Sequence, residues 1–145
     1  MDFLDALHIS SSGPTAQRTR MNVISCNLAN INTTRTSQGG PYQRKEVIFA
    51  ACPNHESFQK NLNASMRGGL SEVKVAGITN DPRPPISKYD PQHPDADKQG
   101  YVAMPNINIM AEMVDMISAT RSYEAGVTAI NATKNMALKA LEIGR

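Results

Sequence analysis

The sequence predicts a mainly α protein with a small β and loop middle, whose N- and C-terminal helices pair as a coiled-coil-like hairpin. Three observations lead there. Residues 106–143 carry a seam of positions at alternating steps of four and three, and residues 17–31 repeat that step. Between them, residues 36–104 replace it with short β-like runs and prolines. The expected segments are therefore an N-terminal helical part over 1–35, a β and loop part over 36–104 and a long C-terminal helix over 105–145.

The C-terminal signal is the clearest. Ile109, Met113, Met116, Thr120, Tyr123, Val127, Ile130, Lys134, Ala137 and Leu141 follow intervals of 4, 3, 4, 3, 4, 3, 4, 3 and 4. That is the seven-residue repeat of a helix packing on other helices. No proline follows Pro105, and Gly126 is the only interior glycine. Asn106 or Asn108 can cap the start, and Glu112 and Asp115 suit the positive end of the helix dipole. Lys134, Lys139 and Arg145 suit the other end, with Gly144 as a stop. Such a helix runs about 57 Å at about 1.5 Å per residue, far beyond the usual three turns.

The N-terminal part supplies a partner. Met21, Ile24, Leu28 and Ile31 step by 3, 4 and 3, and the frame extends back through Pro14, Ser10, Leu7 and Phe3. Gly13-Pro14 predicts an interruption, because proline lacks the N–H and crowds the preceding turn. The expectation is a short helix over 2–12 and a firmer one over 15–31. Asn27, Asn30 and Asn32 crowd the end of this seam in "SCNLANINTT". Asparagine is a poor helix former, because its amide competes for backbone partners. Two readings stand side by side. The amides set register and partner at an interface, or they are solvated and Asn32 ends the helix in the left-handed region.

The middle reads as strands over Tyr42–Ala51 and Leu70–Thr79, with a last short strand over Gly100–Met104. Neither face of the second is cleanly apolar. The prolines of Asn80-Asp-Pro-Arg-Pro-Pro-Ile and Asp90-Pro-Gln-His-Pro demand extended or turned chain. Residues 53–69 read as a polar, glycine-ended loop.

Composition excludes more than it selects. The 145 residues suit one domain, with 40% hydrophobic residues, 5% aromatics and no Trp, a lean supply for a large core. A net charge of +2 with no aromatic-interleaved basic run argues against nucleic acid. No stretch approaches the roughly 18–20 apolar residues of a membrane span. Met1-Asp-Phe-Leu-Asp does not read as a secretory signal, since acidic residues stand where basic ones belong. Cys26 and Cys52 form no C-x-x-C pair and read as small apolar residues.

No catalyst is expected. His93, Asp95 and Asp97, with His8 or His55, bring metal-ligand chemistry close together, but Pro94 interrupts the run and no fixed ligand spacing supports it. A turn with solvated carboxylates is the expected reading. There is no G-x-S-x-G and no phosphate-cradling glycine motif, so no cofactor, metal or small-molecule substrate is implied. Five of the eight methionines, at 104, 110, 113, 116 and 136, lie in the last 42 residues. They fit either an irregular core or a surface that adapts to more than one neighbour.

"SCNLANINTT" resembles the S-x-N-L-A-N-x-x-T signature of the bacterial flagellar axial proteins, the rod and hook family. The run from Glu112 to Ala125, the Ile130-Asn-x-x-Lys134 that follows, Gly100-Tyr-Val-Ala-Met-Pro-Asn, "YQRKEVIFAA" and "HPDAD" are similar to its proximal rod subunits. The chain departs from that pattern at Pro14, inside the usual N-terminal helix, and at Gly126, where asparagine is usual after Tyr-x-Ala.

The resemblance implies a structural subunit of the rod, the drive shaft that crosses the periplasm, stacked helically through its terminal helices. It implies passage through the flagellar type III export apparatus without a cleaved signal. Other rod proteins, further copies of itself, the rod-base adapter and the membrane ring are the implied partners. Its assembly interface would then comprise Met21, Ile24, Asn27, Leu28, Asn30, Ile31, Ile109, Met113, Met116, Tyr123, Val127, Ile130 and Leu141, with Asn27 and Asn30 bonding between subunits. The alternative is a coiled-coil adapter or a secretion-needle-type protein using the same termini.

Overall fold

A computed structural model describes residues 3–53 and 71–143. Helix α1 spans Phe3–Ala29 and helix α2 spans Ile109–Ile143. Between them lie β1 (Lys45–Pro53), β2 (Ser71–Asn80), β3 (Ile86–Tyr89) and β4 (Tyr101–Met104). Apart from Pro53, the loop expected over 53–69 falls outside the described residues, as does the expected stop at Gly144. No described helix is long and apolar enough to cross a membrane.

The interruption expected at Gly13-Pro14 does not occur, and α1 runs through Pro14 unbroken. A residue before proline is pushed out of the α region partly by its own Cβ, and Gly13 has none. Polar side chains occupy the carbonyls of the same stretch. Ser11 Oγ donates to His8 O at 2.8 Å, Ser12 Oγ to Ile9 O at 2.7 Å and Thr15 Oγ1 to Ser11 O at 3.0 Å.

α1 and α2 pack antiparallel. Pro14 lies against Gly126, Met21 against Thr120 and Asn27 against Glu112. On the expected α1 seam, Met21 meets α2 at Thr120, Ile24 is buried and Leu28 is half-buried. On α2 the seam needs a correction. The buried and half-buried line is Glu112, Met116, Ala119, Tyr123, Gly126, Ile130, Thr133 and Ala137. It shares Met116, Tyr123, Ile130 and Ala137 with the expected seam. The expected Thr120 and Val127 are half-buried beside Ala119 and Gly126, whereas Ile109, Met113, Lys134 and Leu141 are exposed. Glu112, Ala119, Gly126 and Thr133 are charged, small or polar, so hydrophobicity could not select them. Small residues there let the two backbones approach.

α1 has a second buried face that the heptad pattern does not reveal. Ala16 and Val23 are buried, and α1 packs on β1 and β2 as well as on α2. Val73 N on β2 donates to Ser12 Oγ at 3.0 Å. α1 is thus the central element. β1 and β2 pair antiparallel from Lys45↔Asn80 to Pro53↔Ser71, with a bulge between Ile48 and Phe49. The bulge re-aims the residues beyond it, as an extra residue in one strand must.

β3 is a strand that the proline-rich reading of residues 80–94 passed over. Ile86-Ser-Lys-Tyr is free of proline and pairs antiparallel with β4, Ile86↔Met104 through Tyr89↔Tyr101. Asp97 Oδ1 shapes the connecting turn by accepting Gln99 N at 2.8 Å and Tyr101 N at 3.0 Å. Gly100 stands at φ +82, where a Cβ would meet Tyr89 Cε2 at 3.0 Å.

Candidate assembly interface

The end of α1 and the start of α2 meet in a buried polar node. Asn27 is 1% exposed and all four of its hydrogen-bonding positions are used. Its Nδ2 donates to Lys45 O at 2.9 Å and Glu112 Oε2 at 3.1 Å. Its Oδ1 accepts Lys45 N at 2.9 Å and Tyr42 OH at 3.1 Å. One amide therefore joins α1, α2 and the start of β1. Burial pushes the Tyr42 phenol up from its ordinary pKa, with the neighbouring Cys26 and Glu112 acting the same way.

Glu112, also 1% exposed, is the acidic residue of the first turn of α2. Arg44 Nε donates to its Oε1 at 2.6 Å. A buried carboxylate is tolerated only when paired and hydrogen-bonded, and Asn27 and Arg44 supply both. The Arg44 guanidinium also faces Asp81 at 3.7 Å and Glu46 at 3.8 Å. Asp81 is held from the ordinary 3.8 down to about 2, chiefly by side-chain hydrogen bonds from Arg83. Alongside, Arg20 Nη2 reaches Asp115 Oδ1 at 3.3 Å.

Local sequence explains how these groups converge. Asn108 Oδ1 accepts Met110 N at 3.0 Å and Ala111 N at 3.2 Å, capping α2 so that Glu112 falls in its first turn. Asn106 instead donates to Pro84 O at 3.1 Å. Gly39 and Gly40, at φ +86 and +78, turn the chain back, and Tyr42 N closes on Thr33 O at 3.0 Å. That return carries Tyr42 and Arg44 to Asn27 and Glu112.

Asn27 and Asn30, expected to bond between subunits, both make hydrogen bonds within the chain. Asn27 bonds wholly within the chain. Asn30 closes the helix end, with Nδ2 on Cys26 O at 2.8 Å and Oδ1 accepting Thr33 Oγ1 at 3.2 Å. Asn32 is no left-handed stop, because among the described residues only glycines have positive φ. Tyr42, Arg44 and Glu112 were not foreseen as site residues. The available signal was a carboxylate on the seam side of α2.

The "HPDAD" run is a set of turns. His93 Nδ1 accepts Asp95 N at 3.1 Å, and Asp95 Oδ2 accepts Thr34 Oγ1 at 2.7 Å. Hydrogen bonds from the Tyr101 and Gln99 backbone hold the Asp97 carboxyl below its ordinary range. Among the described residues, no group of three His, Cys, Asp or Glu side chains is placed to hold a metal.

Seam residues of α2 divide by their surroundings. Met116, Tyr123, Val127 and Ile130 are half-buried beside α1, whereas Ile109, Met113 and Leu141 are exposed. Ile109 and Met113 belong to a free stripe with Met110, Val114 and Ile117, each between 49% and 70% exposed. Steps of three and four place Met110, Val114 and Ile117 on the side of α2 turned away from α1, while Ile109 and Met113 flank the contact on the seam that continues to Thr120. On α1, Ile24 is buried, and Met21, Leu28 and Ile31 are half-buried.

Residues 98–143 match a family model described as the C-terminal part of flagellar basal body rod FlgEFG proteins, and residues 7–35 match one described as flagella basal body rod protein. Similar full-length proteins carry the name flagellar basal-body rod protein FlgC. That of Bacillus subtilis is 49% identical over 152 residues, covering 100% of both chains. That of Borreliella burgdorferi is 46% identical, covering 99% of this chain and 98% of its own. That of Salmonella typhimurium is 36% identical, covering 100% of both.

Proposed function

The chain belongs to the FlgC family of flagellar basal-body rod proteins and is a structural subunit of that rod, and on that premise we propose that it stacks helically in the proximal rod through the free face of α2. The observation that carries this reading is the stripe of Ile109, Met110, Met113, Val114 and Ile117, exposed along the first turns of α2. Five apolar side chains on one helix face leave a contiguous patch in water, the mark of an interaction surface. Their methionines adapt to differently shaped neighbours, which suits a subunit touching both its own copies and other rod proteins.

The remaining residues of the interface extend it: Leu141 near the end of α2, and the half-buried edges of Met21, Leu28, Ile31, Tyr123, Val127 and Ile130. The polar node fixes the helix pair that presents this surface. The rod-base adapter and the membrane ring are the proposed neighbours at the rod base, and the export apparatus acts in transit across the envelope, with no signal peptide removed. The part played by the chain is mechanical.

The test is a strain whose only copy carries Met113→Asp and Ile117→Asp. Both positions are exposed, so the purified chain should melt as before while basal bodies isolated from the strain lack it and the cells do not swim. Normal incorporation and swimming would overturn the assignment of this face.

A further inference from the structure

The paired helices present a problem of register. The seam of α2 repeats every seven residues, so sliding α1 along it by one repeat restores the same pattern of steps. We propose that Pro14 and Gly126 form a steric lock which, with Asn27 and Glu112, admits a single register.

The geometry is specific. A Cβ built on Gly126 would stand 2.5 Å from Pro14 Cγ and 3.1 Å from Pro14 Cδ. The proline ring therefore fills the space that the missing side chain leaves. Displacement by seven residues brings Pro14 opposite Ala119 or Thr133, both of which carry a Cβ. Asn27 meets Pro105 or Ala119 in those same registers, and Glu112 loses its amide partner. One lock rests on shape and the other on hydrogen bonds. They are 13 residues apart along α1, from Pro14 to Asn27.

The lock also accounts for two residues that each disfavour a helix. Glycine and proline are the poorest helix formers, yet both lie inside helices here and face each other. The absent Cβ of Gly126 makes room for the Pro14 ring.

The experiment uses the full chain with Cys26→Ser and Cys52→Ser, in a set of variants read by thermal melting and by cross-linking. At an ordinary helical site Gly→Ala raises stability. Gly126→Ala should instead lower Tm by about 4–8 °C, the scale of overpacking in a domain of this size. Met21→Cys with Thr120→Cys reports the observed register, since Met21 Sδ and Thr120 Oγ1 are 3.4 Å apart. Met21→Cys with Val127→Cys, and with Met113→Cys, report the two slipped ones.

Adding Gly126→Ala should cut the Thr120 cross-link severalfold and raise one of the slipped pairs. Pro14→Ala should restore the Thr120 cross-link in that background and raise Tm more there than in the unaltered chain. A rise in Tm for Gly126→Ala alone, or an equal gain from Pro14→Ala in both backgrounds, would overturn the lock. These readouts need no rod, so their failure is separate from failure of the assembly surface.

Discussion

Asn27 and Glu112, 85 positions apart in the chain, share a buried hydrogen bond of 3.1 Å at the point where both helices meet the start of β1. Among the described residues the buried apolar side chains are few: Ala16, Val23, Ile24, Val102, Ile107 and Ala119. A small apolar core leaves much of the specificity to this polar pair.

Asn27→Ala should be among the most damaging single substitutions. It leaves Lys45 N, Lys45 O and Tyr42 OH without their partner and removes one from Glu112. A buried group left unsatisfied costs about 1–3 kcal/mol, so a loss of about 3 kcal/mol is expected in urea unfolding. A loss under about 1 kcal/mol would contradict the buried role.

Arg44→Met should cost more than Glu112→Gln. The first strands a carboxylate in the interior, a change worth about 3–5 kcal/mol. The second removes the charge and keeps a hydrogen-bonding group. Equal losses in paired unfolding experiments would argue that Glu112 is not held by charge.

Acid should loosen the sheet end of this network. The Asp81 pKa is lower in the fold, at about 2, than its ordinary 3.8. Its contribution is therefore present above about 3.8 and disappears as pH falls through about 2. Glu72 and Asp97 are shifted in the same direction, Glu72 mainly by the Lys74 hydrogen bond. Asp81→Asn should flatten the loss of stability across that window, as followed by melting at stepped pH. An unchanged slope would remove Asp81 from the account.

Gly100→Ala should destabilise the β3–β4 hairpin. The backbone there has φ +82, and the new methyl group would press on Tyr89 at 3.0 Å and Pro91 at 3.2 Å. A loss of about 1–2 kcal/mol is expected from the left-handed conformation alone. Loss of the Tyr89–Tyr101 edge contact, now 5.3 Å between ring centres, would show in the aromatic proton spectrum. A spectrum and stability matching the unaltered chain would contradict it.

The two helices were legible in their steps of three and four, and three of the four strands in β-type residues bounded by turn residues, without a clean alternation. β3 was hidden by flanking prolines, although its own residues 86–89 pair freely. Pro14 misled for a different reason. Local chemistry forbids a proline within a helix, and the relief comes from Gly13 beside it and Gly126 across the interface. The node was hard to read because no sequence window holds Asn27, Arg44 and Glu112 together. Only the turn at Gly39-Gly40 and the cap at Asn108 bring them into reach. The asparagines were correctly singled out as costly, but their partners lay within the chain.

The central position of α1 has a further consequence. Among the described residues, the β1–β2 hairpin packs on α1, and α1 packs on α2, with no comparable packing of the hairpin on α2. Mechanically the three elements are links in series, and the softest of them governs how far the hairpin twists against α2. The Arg44–Glu112 bridge, 2.6 Å long, is a strut in parallel with α1, joining the root of the hairpin straight to the foot of α2. Stiffness in this subunit is thus concentrated where the chain enters β1, and compliance grows with distance from that point.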